Sequence, residues 1–101
     1  MLATCQLNQW AMNFKHNKEN IIKSIRAAKE MGAAYRLGPE LEVSGYGCED
    51  HFFELDTVRH SWETMAEILS DKELTSDILC DIGMPVHYKN ALYNARVIVL
   101  N

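Results

Sequence analysis

Ala33-Ala34-Tyr35-Arg36-Leu37-Gly38-Pro39-Glu40 is the stretch on which the reading of this chain turns. Its first five residues suit a short strand. Gly38-Pro39 stops that strand, because proline has no N–H to give a ladder and pushes the residue before it out of the helical region. Upstream, Ile21, Ile25 and Ala28 recur at i, i+4 and i+7, Ile22 widens the stripe, and Lys23, Arg26, Lys29 and Glu30 fall largely off it. That spacing predicts a surface helix lying on a sheet, capped at its start by Asn17 and ended at Gly32 by a left-handed residue. Leu2-Ala3-Thr4-Cys5-Gln6-Leu7 alternates weakly and reads as an earlier strand. Strand, helix and strand in that order make a parallel β-α-β unit, which sets the fold class as α/β.

Downstream of the deciding stretch, residues 40–56 hold two glycines, many acids and several aromatics, with no helical or strand period. A loop containing a short helix is expected there. Val58, Trp62, Met65 and Leu69 then repeat at i, i+4, i+7 and i+11, which predicts a second helix, capped by Asp56. Ile78 to Val86 is mostly apolar on both faces, as a buried parallel strand should be. A turn at His87-Tyr88-Lys89-Asn90 leads into a second apolar strand over Leu92–Leu100, so these two are expected to form a hairpin. Val97-Ile98-Val99-Leu100 is an apolar strand with nothing after it to cover it, and we expect a chain that continues in a longer protein.

Bulk properties exclude several classes. One small domain is the most that 101 residues allow. A 48% hydrophobic and 24% charged composition is that of a folded soluble chain. The net charge of −4 argues against affinity for nucleic acid or an anionic membrane, both of which favour basic surfaces. No apolar run approaches the roughly 20 residues that cross a bilayer. Cys5, Cys48 and Cys80 are odd in number, widely spaced and without a CxxC pair, so reduced thiols in a cytoplasmic protein are expected rather than disulfides or zinc.

The candidate for chemistry is Glu40. Ligands of parallel α/β sheets bind beyond the carboxyl ends of the strands, and Glu40 follows such an end, with Pro39 constraining the direction of the chain. A general base needs fixed placement and a pKa lifted toward the working pH, and Tyr46, Phe52 and Phe53 are near enough in sequence to supply apolar walls. Pattern alone leaves the alternative of a solvated loop glutamate open. Six acids, one histidine and no lysine or arginine lie between Leu37 and Val58. Asp50 and His51 are conceivable cation ligands, but the acids lack the alternate spacing around a central glycine of a calcium loop, and no metal is expected. The thiols read as structural: Cys80 and Cys5 lie in apolar strands, and Cys48, in the loop and open to exposure, has acidic neighbours that would raise its pKa. His16, His51, His60 and His87 form no pair at ligand spacing.

Three segments carry a resemblance: Cys5-Gln6-Leu7-Asn8-Gln9-Trp10; Tyr35-Arg36-Leu37-Gly38-Pro39-Glu40-Leu41-Glu42-Val43-Ser44-Gly45-Tyr46-Gly47-Cys48-Glu49-Asp50-His51; and Gly83-Met84-Pro85 with Tyr93-Asn94-Ala95-Arg96-Val97. In this order they resemble the amino-terminal amidase domain of eukaryotic glutamine-dependent NAD synthetases, and more broadly the carbon–nitrogen hydrolases of the nitrilase superfamily. The resemblance implies an α-β-β-α sandwich and a Glu-Lys-Cys triad, in which Glu40 is the general base, a lysine stabilises the oxyanion and a cysteine attacks the amide of glutamine. It further implies that the ammonia reaches a separate domain that amidates deamido-NAD with ATP and magnesium, that Tyr46 lines the glutamine pocket, and that the enzyme is a homo-oligomer.

Set against that pattern, the chain holds one triad member. The family's lysine follows the strand that ends here near Asn101, and its cysteine lies much further on; Lys72, Lys89, Cys48 and Cys80 do not sit in the matching contexts. No phosphate-binding loop or synthetase domain is present. The expectation is therefore that residues 1–101 form the amino-terminal part of a carbon–nitrogen hydrolase domain, a partial sandwich without a cofactor of its own. Alone it should be inactive and poorly soluble. Two alternatives are a piece of a stand-alone amidase of the superfamily and a non-catalytic product that associates with full-length subunits.

Overall fold

A computed structural model describes all residues, 1–101. Its elements are strand β1 (Leu2–Thr4), helix α1 (Phe14–Glu30), strand β2 (Tyr35–Leu37), a single 3-10 turn (Glu49–Phe53), helix α2 (Leu55–Ser70), and strands β3 (Leu79–Tyr88) and β4 (Ala91–Val99). The strands form one sheet in the order β1-β2-β3-β4, parallel from β1 to β3 and antiparallel between β3 and β4. The expected β-α-β unit and the terminal hairpin are both present.

Helix α1 starts a full turn earlier than its spacing predicts. Asn13 is the cap, its side chain accepting a hydrogen bond from the His16 N–H. Asn17 lies inside the helix, fully buried, and its amide serves a tertiary contact described below. The apolar stripe is as predicted: Ile21, Ile25 and Ala28 are buried, and Gly32 ends the helix with φ +78°.

Helix α2 departs further. Trp62 and Leu69 are exposed at 44% and 39%, and the buried stripe runs instead through Val58, Ser61, Thr64, Met65 and Ile68. Small hydroxyl side chains fit this seam because each returns its hydrogen bond to its own helix, Ser61 to the Thr57 carbonyl and Thr64 to that of His60. Asp56 does not cap; it lies in the first turn and pairs with Arg59 at 3.2 Å, while Glu54 takes the cap position without a side-chain bond.

Both helices lie on one face of the sheet. Cys80, Ile82 and Met84 of β3 meet Ile21, Ile25 and Ala28 of α1 and Met65 and Ile68 of α2 in one core, with Val97 and Val99 of β4 packed at its side. Strand register then sorts the residues. Ala3, Arg36, Cys80 and Val99 form one row across the sheet on the helix side; Thr4, Leu37, Asp81 and Ile98 form the next, on the opposite side. No element of the chain covers that second face, where Leu2, Leu37 and Ile98 are exposed. The architecture is thus one helical layer on one sheet, half of the α-β-β-α sandwich.

Strand β2 ends at Leu37, so beyond Asp81 the strand β3 has β4 on one side only. Residues 38–43 occupy the other side. This also explains Pro85 within β3, where no second ladder asks for its missing N–H.

Candidate active site

Glu40 projects from the segment that fills this gap. Gly83 of β3 makes the close approach possible: a Cβ there would stand 2.7 Å from both the Leu41 nitrogen and the Pro39 oxygen. Gly83 also supplies the gap's hydrogen bonds, accepting from the Val43 N–H at 3.2 Å and donating its own N–H to Glu42 Oε2 at 3.3 Å. Leu41 takes a left-handed conformation with φ +50°, which turns the chain directly after Glu40. Such a conformation in a leucine persists where surrounding contacts dictate it.

Those contacts come from four directions. From β4, Arg96 donates to the carbonyls of Gly38 (2.9 Å), Pro39 (3.0 Å) and Asp81 (2.9 Å), and pairs with the Asp81 carboxylate at 2.6 Å. From β3, the Asp81 carbonyl accepts from the Gly38 N–H. From the start of the chain, Gln9 donates to the Glu42 carbonyl at 2.9 Å and Met12 N–H to that of Ser44 at 2.8 Å. From α1, buried Asn17 donates to the Val43 carbonyl at 3.1 Å while exchanging two hydrogen bonds with the Trp10 backbone. The backbone on both sides of Glu40 is accordingly tied to four other parts of the chain.

Beneath the segment lies a buried ion pair. Arg36, on the helix side of β2, reaches Glu42 at 2.6 Å and Ser24 of α1 at 2.6 and 3.0 Å, and both charged side chains are 0% exposed. Burial drives the Glu42 carboxyl upward, opposed by the hydrogen bond and charge of Arg36. Gly38 packs against this pair, since any side chain there would overlap the Glu42 carboxylate and the Arg36 guanidinium. On the open face, Tyr35 O–H donates to Asp81. Burial of Asp81 would raise its pKa, but the hydrogen bonds from Tyr35 and Arg96 outweigh it and hold the carboxyl below the usual range.

Glu40 itself is exposed, with its Oε1 accepting from Asn94 Nδ2 of β4. The aromatic walls expected for it are not there: Tyr46 and Phe53 are largely exposed, and Phe52 and Phe53 line a separate cavity of about 310 Å³ with Leu55, Val58, His87 and Leu92. The Phe52 and Phe53 rings sit in the 3-10 turn, whose residues are all unburied. Asp50 and His51 are exposed, and His51 stands 3.3 Å from Glu54; no group of three or more His, Cys, Asp or Glu converges as a metal set. Cys48, open to exposure in the sequence reading, is buried, its thiol donating to the Ser44 and Gly45 carbonyls. Cys80 is buried in the core, and burial pushes its thiol pKa up. Lys72 and Lys89 lie exposed in turns.

Arg36, Glu42, Asn94 and Arg96 have roles here that their place in the sequence does not announce. One signal was present: an arginine in the middle of a short apolar strand requires a buried carboxylate nearby. Asn94 and Arg96 stand at i and i+2 of a strand, which places them on one face, but their partner lies far away in sequence.

Comparison with known proteins bears on this arrangement. A glutamine-dependent NAD(+) synthetase of Dictyostelium discoideum is 66% identical over 100 residues, covering 99% of this chain and 14% of the relative. The crystal structure of a glutamine-dependent NAD(+) synthetase from Cytophaga hutchinsonii superimposes with a TM-score of 0.91 at 29% identity, over 99% of this chain and 17% of that one. An amidase from Nesterenkonia sp. AN1 shares the fold, with a TM-score of 0.68 at 20% identity over 96% of this chain and 35% of its own. The chain thus spans about one seventh of the length of the curated relatives it matches. The sequence pattern of the carbon-nitrogen hydrolases matches residues 1–101 from end to end, and the chain belongs to that family.

Proposed function

We propose that Glu40 is the general base of a glutamine-hydrolysing amidase site, carried by a longer polypeptide that passes the ammonia to ATP-dependent amidation of deamido-NAD. The observation that carries the reading is the contrast at Glu40 between a rigid backbone and an open carboxylate. Its chain is pinned by Arg96, Gly83, Gln9 and Asn17, while the side chain stays accessible beyond the carboxyl end of β2. Proton transfer in a transition state rewards that combination, because the acceptor must be placed in advance and still be reachable. The names of the relatives supply the substrate class.

In this scheme Glu40 takes the proton of a cysteine thiol, the sulfur bonds to the carboxamide carbon, and the C–N bond breaks. The proton leaves with the ammonia, and water then frees glutamate from the sulfur. The thiol and an oxyanion-stabilising lysine come from residues beyond this chain, and so do the ligands of ATP and magnesium. Tyr46, exposed and adjoining the pinned segment, is proposed to line the glutamine pocket. A cytoplasmic homo-oligomer is part of the same reading. No helix of the chain is long and apolar enough to cross a membrane.

The test is the full-length polypeptide with Glu40→Gln. Glutamine hydrolysis should fall by roughly 10²–10⁴, while NAD formation from added ammonium persists. Wild-type glutamine turnover in that variant would overturn the assignment. The 101-residue chain alone should hydrolyse no glutamine.

A further inference from the structure

We propose that Asn94 is a positioning residue that gives the two oxygens of Glu40 different tasks. The inference rests on the reading of Glu40 as the general base and adds to it which oxygen takes the proton. Asn94 Nδ2 donates to Glu40 Oε1, and Oε2 receives no hydrogen bond from any residue of the chain. Both side chains are exposed, so packing does not bring them together. The amide must turn its N–H₂ to the carboxylate, since its own carbonyl would set acceptor against acceptor.

The geometry makes β4 a two-point grip. Asn94 is paired in register with Pro85, and Arg96 with Gly83, so both side chains stand on the open face beside the segment that lies on Gly83. Arg96 holds the carbonyls of Gly38 and Pro39, fixing the backbone immediately before Glu40. Asn94 then removes the freedom that remains, the rotation of the carboxylate. An exposed glutamate otherwise samples several rotamers, and each one excluded in advance is entropy the reaction does not have to supply. With Oε1 engaged as an acceptor, Oε2 is the oxygen presented to a proton.

The experiment uses the full-length polypeptide with Asn94→Ala and Asn94→Asp, each beside Glu40→Gln. Asn94→Ala should lower kcat for glutamine hydrolysis about tenfold, the loss of one hydrogen bond to a charged group, with KM within about twofold. Asn94→Asp keeps the shape but replaces the donor by a charged acceptor, and should cost about a hundredfold. Unfolding temperatures should match the wild type, since the residue is exposed. Should Glu40→Gln be inactive while both Asn94 variants keep kcat, the role of Asn94 is refuted and that of Glu40 stands. Should Asn94→Asp be no worse than Asn94→Ala, the donor function is likewise refuted. Full activity in Glu40→Gln would overturn both assignments.

Discussion

Residues 38–45 and residues 46–54 are consecutive parts of one acidic stretch between β2 and α2, yet they are built in opposite ways. In the first, Leu41 to Gly45 are all buried, and the carbonyls of Gly38, Pro39, Glu42, Val43 and Ser44 each accept a hydrogen bond from another part of the chain. In the second, Tyr46 and Phe53 are 71% and 84% exposed, and the 3-10 turn buries nothing. Apolar content does not predict which part is buried, since Tyr46, Phe52 and Phe53 all lie in the second; the supply of partners separates them. A loop can be buried when its polar backbone groups find partners, and here a sheet gap, an arginine, a glutamine and an asparagine meet most of its carbonyls. Cys48 alone ties the second part back to the first.

The largest effect should come from removing the support under the pinned part. Arg36→Met leaves Glu42 buried without its partner and should destabilise the fold by about 3–5 kcal/mol in urea unfolding at low protein concentration. A stability within 1 kcal/mol of wild type would show that the pinned segment holds without its ion pair, and the contrast would lose its cause. Next comes Gly83→Ala, whose added Cβ meets backbone atoms of Pro39 and Leu41 at 2.7 Å. About 1–3 kcal/mol and a loss of glutamine turnover are expected, since the segment must move.

Asp81 sharpens the comparison through pH. Its folded pKa is depressed by Tyr35 and Arg96, so its contribution is present above the ordinary aspartate value and lost as pH falls through the folded one. Stability profiles of wild type and Asp81→Asn should differ above about pH 4 and converge below it, where the wild-type carboxyl takes up its proton. Parallel profiles would remove Asp81 from the support of Arg96. The smallest effect belongs to the open part: Asp50→Asn or Phe53→Ser should change stability by less than about 0.5 kcal/mol. A larger loss would mean the second part is anchored after all.

What the sequence disclosed follows the range of each signal. The helix period and the Gly38-Pro39 stop made the β-α-β unit legible, and with it the place of Glu40 at a strand end. Local signals misplaced the cap of α1, because Asn13 and Asn17 are both good caps and only the tertiary demand of the Trp10 and Val43 backbone decides between them. In α2 the apolar spacing pointed to Trp62 and Leu69, whereas a close helix seam prefers Ser61 and Thr64. Asn94 was beyond reach for a different reason. Its partner lies 54 residues away, and strand register, not spacing, brings the two together.

The hairpin turn between β3 and β4 consists of Lys89 and Asn90, both with positive φ, at 47° and 62°. Two residues of that hand suit the twist of the strands and leave no slack in the count. The turn therefore works as a ruler. One residue added there, with the two-residue turn kept, would carry Asn94 and Arg96 to the helix side and put Tyr93 and Ala95 in their places. A site could then be lost through an insertion far from it, with every residue that touches Glu40 still encoded in the gene.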